Sequence, residues 1–315
     1  MVSVAITTYN GAKYLREQLD SIYAQTLPPE EVIVCDDGST DTTISILEEY
    51  HRTKGLIYSI NPHNVGYSAN FFQAISLCKG DYVALSDQDD VWFPTKLEES
   101  ISVLSQIQGA GVISSQAQDT DASLNPLPIK ESWGIAKEDQ SVYASLISSR
   151  YSQGCTLMLN RAFINLFLPI VSANIRVFAQ YPYDAIIGMI AVSIATKHNI
   201  PKPLMYYRRH DANVSGVLKS PQLSQKELIK LRPRYHHFMP DWRFDAAKDI
   251  ETNFAALLKP DILPYYQILD AMHAAPTLII GLRAMYHLPL SFRKKVEVTI
   301  YSIANNILCS FYAHR

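Results

Sequence analysis

The first 115 residues alternate two hydrophobic rhythms. Short β-rich runs cover Val2 to Thr8, Glu31 to Cys35, Leu56 to Ile60, Tyr82 to Leu85 and Val112 to Ser114. Between them lie helix-length stretches. In Lys13 to Gln25 the apolar residues Tyr14, Leu15, Leu19, Ile22 and Tyr23 recur at helical spacing. Further helices are expected from Asp41, a capping residue, to about Tyr50, over Tyr67 to Lys79, and from Pro94 to about Ile107. This alternation predicts a parallel sheet with helices on both faces. Ligands of such sheets bind outside the carboxyl ends of the strands. Three polar clusters fall at those ends: Thr7-Thr8-Tyr9-Asn10, Asp36-Asp37, and Asp87 to Asp90. The pattern alone gathers them around one crevice.

From Gln116 to Gln140 the rhythm gives way to turn-rich sequence with Pro126, Pro128 and Trp133. A helix over about Ser141 to Ser149, a strand over Cys155 to Leu159 and a helix over Arg161 to Phe167 are expected next. A strongly apolar helix over Asp184 to Ala195 follows, then a strand over Pro203 to Tyr207 that runs into Arg208-Arg209-His210. After Gly216 the periodicity is helical and punctuated by proline. Leu263 to Tyr286 is apolar but interrupted by Asp270 and Arg283, and Phe292-Arg293-Lys294-Lys295 precedes a second amphipathic run, Val296 to Phe311. Two readings stand for this tail. It is an interfacial helix pair resting on a membrane, or a set of helices that pack on the rest of the chain or join two copies of it.

Composition narrows the class. Hydrophobic residues make up 48% and charged residues 18%, which predicts a sizeable core and argues against disorder. A net charge of −2 gives no basic surface for nucleic acid, so no nucleic-acid partner is expected. The 19 Tyr, each an apolar ring with a polar tip, suit carbohydrate faces and membrane interfaces alike. Cys35, Cys78, Cys155 and Cys309 form no CxxC or zinc pattern and are expected to be buried free thiols, as in a reducing cytosol. Met1 to Ile6 reads as a strand and not as a signal peptide. No stretch of ~18 or more uninterrupted apolar residues predicts a transmembrane helix. The expected location is cytoplasmic, with peripheral contact at the inner face of the plasma membrane if the tail docks there.

The chemistry centres on Asp87-Gln88-Asp89. In an extended segment, carboxylates at i and i+2 point the same way. With diphosphate oxygens they suit a hard divalent cation, Mg²⁺ or Mn²⁺. An acidic turn capping the helix near Pro94 is the plainer reading, but the two other polar clusters in the same crevice favour the metal. No GxGxxG follows the first strand, and no GxxxxGK[ST] occurs, so a dehydrogenase or P-loop enzyme is poorly supported.

Four blocks carry a family resemblance: Val4-Ala5-Ile6-Thr7-Thr8-Tyr9-Asn10-Gly11, Val34-Cys35-Asp36-Asp37-Gly38-Ser39-Thr40-Asp41, Asn64-Val65-Gly66, and Ser86-Asp87-Gln88-Asp89-Asp90-Val91-Trp92. Together they resemble the family-2 glycosyltransferases of the GT-A fold, and the last block is similar to bacterial rhamnosyltransferase-like enzymes of cell-surface polysaccharide synthesis. The resemblance covers residues 1 to about 216. It implies a Rossmann-like, mostly parallel sheet flanked by helices over 1–216, the nucleotide-sugar-binding and catalytic domain. Residues 217–315 are then a helical C-terminal extension for membrane docking, dimerisation or packing.

Carried over by resemblance, Thr7 and Tyr9 line the nucleoside pocket, Asp37 accepts a bond from the base, and Asp36 supports that loop. Asp87 lies near the ribose, and Asp89 is the main metal ligand. Asn70 and Lys96 are weaker candidates near the base and phosphates. Trp92 and Gly154, the latter within Gln153-Gly154-Cys155-Thr156, fall on the acceptor side. Tyr183-Asp184 matches the catalytic-base position, where Asp184 takes the acceptor hydroxyl proton; many relatives have His or Glu where this chain has Tyr183. Arg209 and His210 approach the diphosphate, with His210 also a metal candidate beside Asp87 and Asp89. The resemblance implies inverting transfer of rhamnose or a hexose from a nucleotide-diphospho-sugar to a saccharide or lipid-linked acceptor. Two other classes remain: a sugar nucleotidyltransferase, which normally needs a Gly- and basic-rich loop after its first strand, and a non-catalytic sugar-binding module, which needs no Asp87, Asp89 and Asp184 together.

Overall fold

In the computed structural model the described residues are 1–127, 153–211, 213, 242–263 and 265–266. The chain divides into two compact units, one of Met1–Gln140 with Arg150–Val217 and one of Ser141–Ser149 with Leu218–Arg315. The first unit is built on an eight-stranded sheet in the order β3-β2-β1-β4-β7-β6-β8-β5. Its strands are β1 Val2–Thr8, β2 Glu31–Asp36, β3 Ile57–Ile60, β4 Tyr82–Ser86, β5 Val91–Trp92, β6 Gly111–Thr120, β7 Leu157–Asn160 and β8 Thr196–Arg208.

The first four strands in space are parallel, as the alternation predicts. β1 is buried along all seven residues, which is why it reads as an unbroken apolar run. Helices α1 Leu15–Tyr23, α2 Thr43–Lys54 and α3 Tyr67–Leu77 connect these strands, and α4 Lys96–Leu104 follows β5. On α1, Leu15, Leu19 and Ile22 are wholly buried and share one face. Each contributes roughly 2 kcal/mol of burial. Register fixes the site: Thr8 lies opposite Asp36, and Ile6 lies opposite Ser86. The carboxyl ends of β1, β2 and β4 therefore finish side by side.

The other half of the sheet departs from a purely parallel arrangement. β7 enters antiparallel between β4 and β6, and β5 pairs antiparallel with β8. A short apolar run such as Leu157–Asn160 carries no mark of its direction. β8 is thirteen residues long, not the five expected from Pro203 to Tyr207. Its pairing with β6 shifts register so that Ser115 meets Ile200 while Gln116 meets Pro203. The slip accommodates Pro201 and Pro203, which cannot donate to a regular ladder. β6 likewise extends past Ser114 to Thr120.

Helices α5 Arg161–Ala173, α6 Ile175–Phe178 and α7 Tyr183–Ile194 complete the described part of this unit. In the second unit, α8 Trp242–Phe254 precedes a turn of 3-10 helix, and Ala246, Ala247, Ile250, Phe254, Ile262 and Tyr266 are buried. The helix expected over Ser141 to Ser149 and the two apolar runs of the tail lie outside the described residues, apart from the start of the first run. Among the described residues, no helix is long and apolar enough to cross a membrane. Cys35, Cys78 and Cys155 are buried free thiols; Cys309 lies outside the described residues.

Candidate active site

The loop after β1 is held by side chains of the loop after β2 and of the first residue of α2. Asn10 N–H donates to Ser39 Oγ at 2.8 Å, Gly11 N–H to Thr43 Oγ1 at 2.9 Å, and Ala12 N–H to Asp41 Oδ2 at 3.2 Å. Thr7 is nearly buried, whereas Tyr9 is 49% exposed and free to meet a ligand. Asp36 is fully buried at the end of β2. It accepts from Thr8 Oγ1 at 2.7 Å, Gly38 N at 3.1 Å, Ser39 N at 2.7 Å and Ser39 Oγ at 2.6 Å. This carboxylate folds the loop. Asp37 accepts from Asn61 Nδ2 at 2.9 Å, Val65 N at 2.8 Å and Gly66 N at 3.0 Å. A carboxylate has about four acceptor positions, so Asp37 keeps capacity for one more donor. Asn70 is buried behind it, donating to Cys35 O at 2.8 Å and accepting from Asn61 at 3.0 Å.

The acidic loop after β4 bends at Gln88 and Asp89, and the Asp87 and Asp89 carboxylates remain close enough for the charge of Asp89 to act on Asp87. Oxygen and sulfur ligand atoms of Asp87, Asp90 and Cys155 all lie within 4.8 Å of one another. Asp89 instead meets His210, with Nε2 and Oδ2 2.8 Å apart, and Asn213 Nδ2 lies 3.4 Å from the same oxygen. Burial, then the neighbouring Asp89 and Asp184 charges, pushes Asp87 up to about 7. Burial and the Asp89 and Asp87 charges likewise drive Asp90 well above the carboxylate range. Asp90 accepts from Arg208 N at 3.2 Å, and its other oxygen has no hydrogen-bond partner among the described residues. Crowded carboxylates with an oxygen to spare are an arrangement that a divalent cation stabilises.

Cations surround this loop from the inside. Arg208, buried at the end of β8, donates Nε to Asp89 O and Nη1 to Ala122 O, each at 2.8 Å, and pairs with Glu17 on α1. Its guanidinium lies 4.5 Å from the Tyr14 ring, and that ring lies 4.7 Å from the imidazole of His210. Arg209 pairs with Asp119 at 2.9 Å. The two arginines are thus matched by Glu17 and Asp119, which sequence spacing could not pair. Lys96 is buried, donating to Cys155 O at 3.1 Å beside the Trp92 ring, and burial pulls its ammonium down to about 8. Trp92 is itself core, 3% exposed.

Asp184 sits half-buried in the first turn of α7, close enough for its charge to act on Asp87. A helix N-terminus favours an ionised carboxylate there. Tyr183 stacks on Phe71 with ring centroids 3.8 Å apart. A Cβ on Gly154 would lie 1.8 Å from the Tyr183 hydroxyl, so glycine is required by close approach. The structure thus brings together Asp87, Asp89, Asp184 and His210 with the loops of Tyr9 and Asp37. It places Asn70, Lys96 and Trp92 in the protein interior. Gln88, Tyr14, Glu17 and Asn213 belong to the same network and carry no local sequence signal.

Known proteins show the same architecture. The family model described as glycosyl transferase family 2 matches residues 3–167, just over half of the chain. The chain belongs to glycosyl transferase family 2. This glycosyltransferase is 29% identical over 261 residues to an uncharacterised glycosyltransferase of Rickettsia typhi, covering 76% of this chain and 78% of the relative. Its fold is similar to that of Staphylococcus aureus TarS 1-349 solved in complex with UDP, with a TM-score of 0.54 and 18% identity over 100% of this chain and 92% of that one. It is also similar to a Pyrobaculum calidifontis mannosyltransferase solved with GDP-Man and Mn²⁺, with a TM-score of 0.50 and 18% identity over 97% and 86% of the two chains. The fold of the glycosyltransferase is GT-A, an α/β sheet with helices on its flanks.

Proposed function

We propose that the glycosyltransferase transfers a sugar, rhamnose or a hexose, from a nucleotide-diphospho-sugar to an acceptor hydroxyl by a single inverting displacement. The observation that carries this reading is the convergence beyond the carboxyl end of β4 of Asp184, Asp87 and the Asp89–His210 pair. Tyr9, Thr7 and Asp37 receive the nucleoside, with Asp36 holding the loop. UDP in the TarS structure and GDP-Man in the mannosyltransferase structure support a nucleotide donor.

Asp184 takes the acceptor hydroxyl proton while that oxygen bonds to the anomeric carbon and the bond to the diphosphate breaks. Its place in the first turn of α7 sets it beside Asp87. Asp89 and His210, with Asp87 beside them, offer oxygen and imidazole ligands to Mg²⁺ or Mn²⁺. A bound cation supplies Lewis-acid stabilisation of the departing diphosphate. Tyr14 and Arg208 orient the ligands from behind. Gly154 borders the acceptor side, where its missing side chain leaves room for Tyr183. The acceptor is a saccharide or lipid-linked saccharide of bacterial cell-surface polysaccharide synthesis, and residues 217–315 form a helical extension for membrane docking, dimerisation or packing.

Asp184→Asn tests the base. The variant should bind nucleoside diphosphate within about threefold of wild type while transfer falls by roughly 10³-fold or more. Loss of nucleotide binding, or retention of transfer, would remove Asp184 from that role.

A further inference from the structure

Four successive amide groups in the β1 loop are each satisfied by a side chain. Those of Asn10 and Ala12 bond to the loop after β2 and that of Gly11 to Thr43, the first residue of α2. That of Tyr9 bonds elsewhere: Tyr9 N–H donates to Gln88 Oε1 at 2.9 Å, and Gln88 Nε2 donates back to Tyr9 O at 3.2 Å. Gln88 is the middle residue of the acidic loop, between Asp87 and Asp89. One side-chain amide therefore uses both its donor and its acceptor on a single backbone residue of another loop. Gly11 protects this clamp. A Cβ there would lie 2.1 Å from Gln88 Oε1, 2.5 Å from Cδ and 3.2 Å from Cγ, and those are its three nearest atoms.

We propose that Gln88 is a positioning residue that couples nucleotide binding to metal binding. It ties the Tyr9 backbone, on the nucleoside side, to the loop that presents Asp87 and Asp89. This rests on the reading of the site given above. A nucleoside diphosphate must span both loops at once: its base side lies at Tyr9, and its diphosphate meets the cation. With the spacing preset, each ligand organises the site for the other. Without it, each still binds its own loop, but the mutual benefit shrinks. Thermodynamic reciprocity makes this measurable from either side.

The test uses the full-length protein and calorimetric titration with UDP, dTDP and GDP, each in EDTA and in saturating Mn²⁺. The ratio of the two dissociation constants is the coupling factor. Gln88→Ala and Gln88→Met, which keeps the length without the hydrogen bonds, should each lower that factor by about 5–10-fold, the scale of two exposed hydrogen bonds. Affinity in EDTA should change by less than about threefold on the same reasoning. Gly11→Ala should reproduce the loss, because its methyl evicts the Gln88 amide. The double variant Gly11→Ala with Gln88→Ala should fold and be no worse than Gln88→Ala alone, since the obstacle has gone.

A Gln88→Ala protein with the wild-type coupling factor overturns the proposal, as does a Gly11→Ala loss that persists undiminished in the Gln88→Ala background. Both leave the nucleotide-sugar reading standing. Failure of the wild-type protein to bind any of the three nucleotides, with or without Mn²⁺, instead refutes that reading and the proposal with it.

Discussion

Asp36 is the residue on which the loop after β2 depends, and replacing it separates charge from shape. Its Oδ1 accepts two backbone N–H groups and its Oδ2 accepts two hydroxyls. In Asp36→Asn the remaining carbonyl oxygen keeps the two N–H bonds. The new NH₂ faces hydroxyls that can rotate to accept. The loss is then chiefly charge assistance, about 1–2 kcal/mol in total. Asp36→Ala leaves all four donors unpaired. The Thr8 bond is buried and costs about 1–2 kcal/mol, while the other three are part-buried and recover some water bonding, at roughly 0.5–1 kcal/mol each. The sum is about 4 kcal/mol. For a folding unit of this size, 1 kcal/mol moves Tm by roughly 2–4 °C. Thermal unfolding should place Asn about 2–8 °C below wild type and Ala about 8–16 °C below, on the same scale. Donor KM should follow the same order, as the loop that presents Asp37 loosens. Equal Tm for the two variants would refute the claim that this carboxylate organises the loop.

Three further outcomes are expected. Gly154→Ala forces the Tyr183 hydroxyl to retreat from a Cβ placed 1.8 Å away; stability should fall by about 1–3 kcal/mol and kcat by roughly 100-fold as the adjoining Asp184 moves, both read from unfolding and steady-state kinetics. His210→Ala should raise the Mn²⁺ concentration for half-maximal transfer by about 10–100-fold, measured by metal titration of activity. Burial pulls the Lys197 ammonium down to about 8. The unfolded chain therefore holds that proton to higher pH, so charged Lys197 costs stability in full below about pH 8, and the cost fades as pH rises towards the ordinary lysine value of about 10.4. Lys197→Met should raise Tm at pH 7, and the gain should shrink above pH 8.

The parallel half of the fold was legible because period and burial agree there. β1, β2 and β4 are buried on both faces, the helices between them carry single apolar stripes, and polar residues cluster where each strand ends. The three acidic and aromatic loops could thus be placed in one crevice from pattern alone. The second half was harder for particular reasons. β8 carries Pro201 and Pro203, which read as a break but sit in a register slip. β5 has only two residues, too few for a period. β7 has no signature of direction. At the site, Asp87 also lies with Asp90 and Cys155, and Asp89 also meets His210, neighbours that spacing within the loop does not show. Gln88, Glu17 and Arg208 join the network through separations of 79 and 191 residues. Only the fold brings such partners together.

The most direct test of the account is donor turnover. Purified protein is incubated with dTDP-rhamnose, UDP-glucose, UDP-galactose, UDP-N-acetylhexosamines and GDP-mannose, with Mn²⁺ or EDTA, and nucleoside diphosphate release is measured beside the Asp184→Asn variant. Release is expected from one donor class, dependent on the divalent cation and lost in the variant. Absence of release and of binding with every donor, or release that is equal in EDTA and in Asp184→Asn, would contradict it.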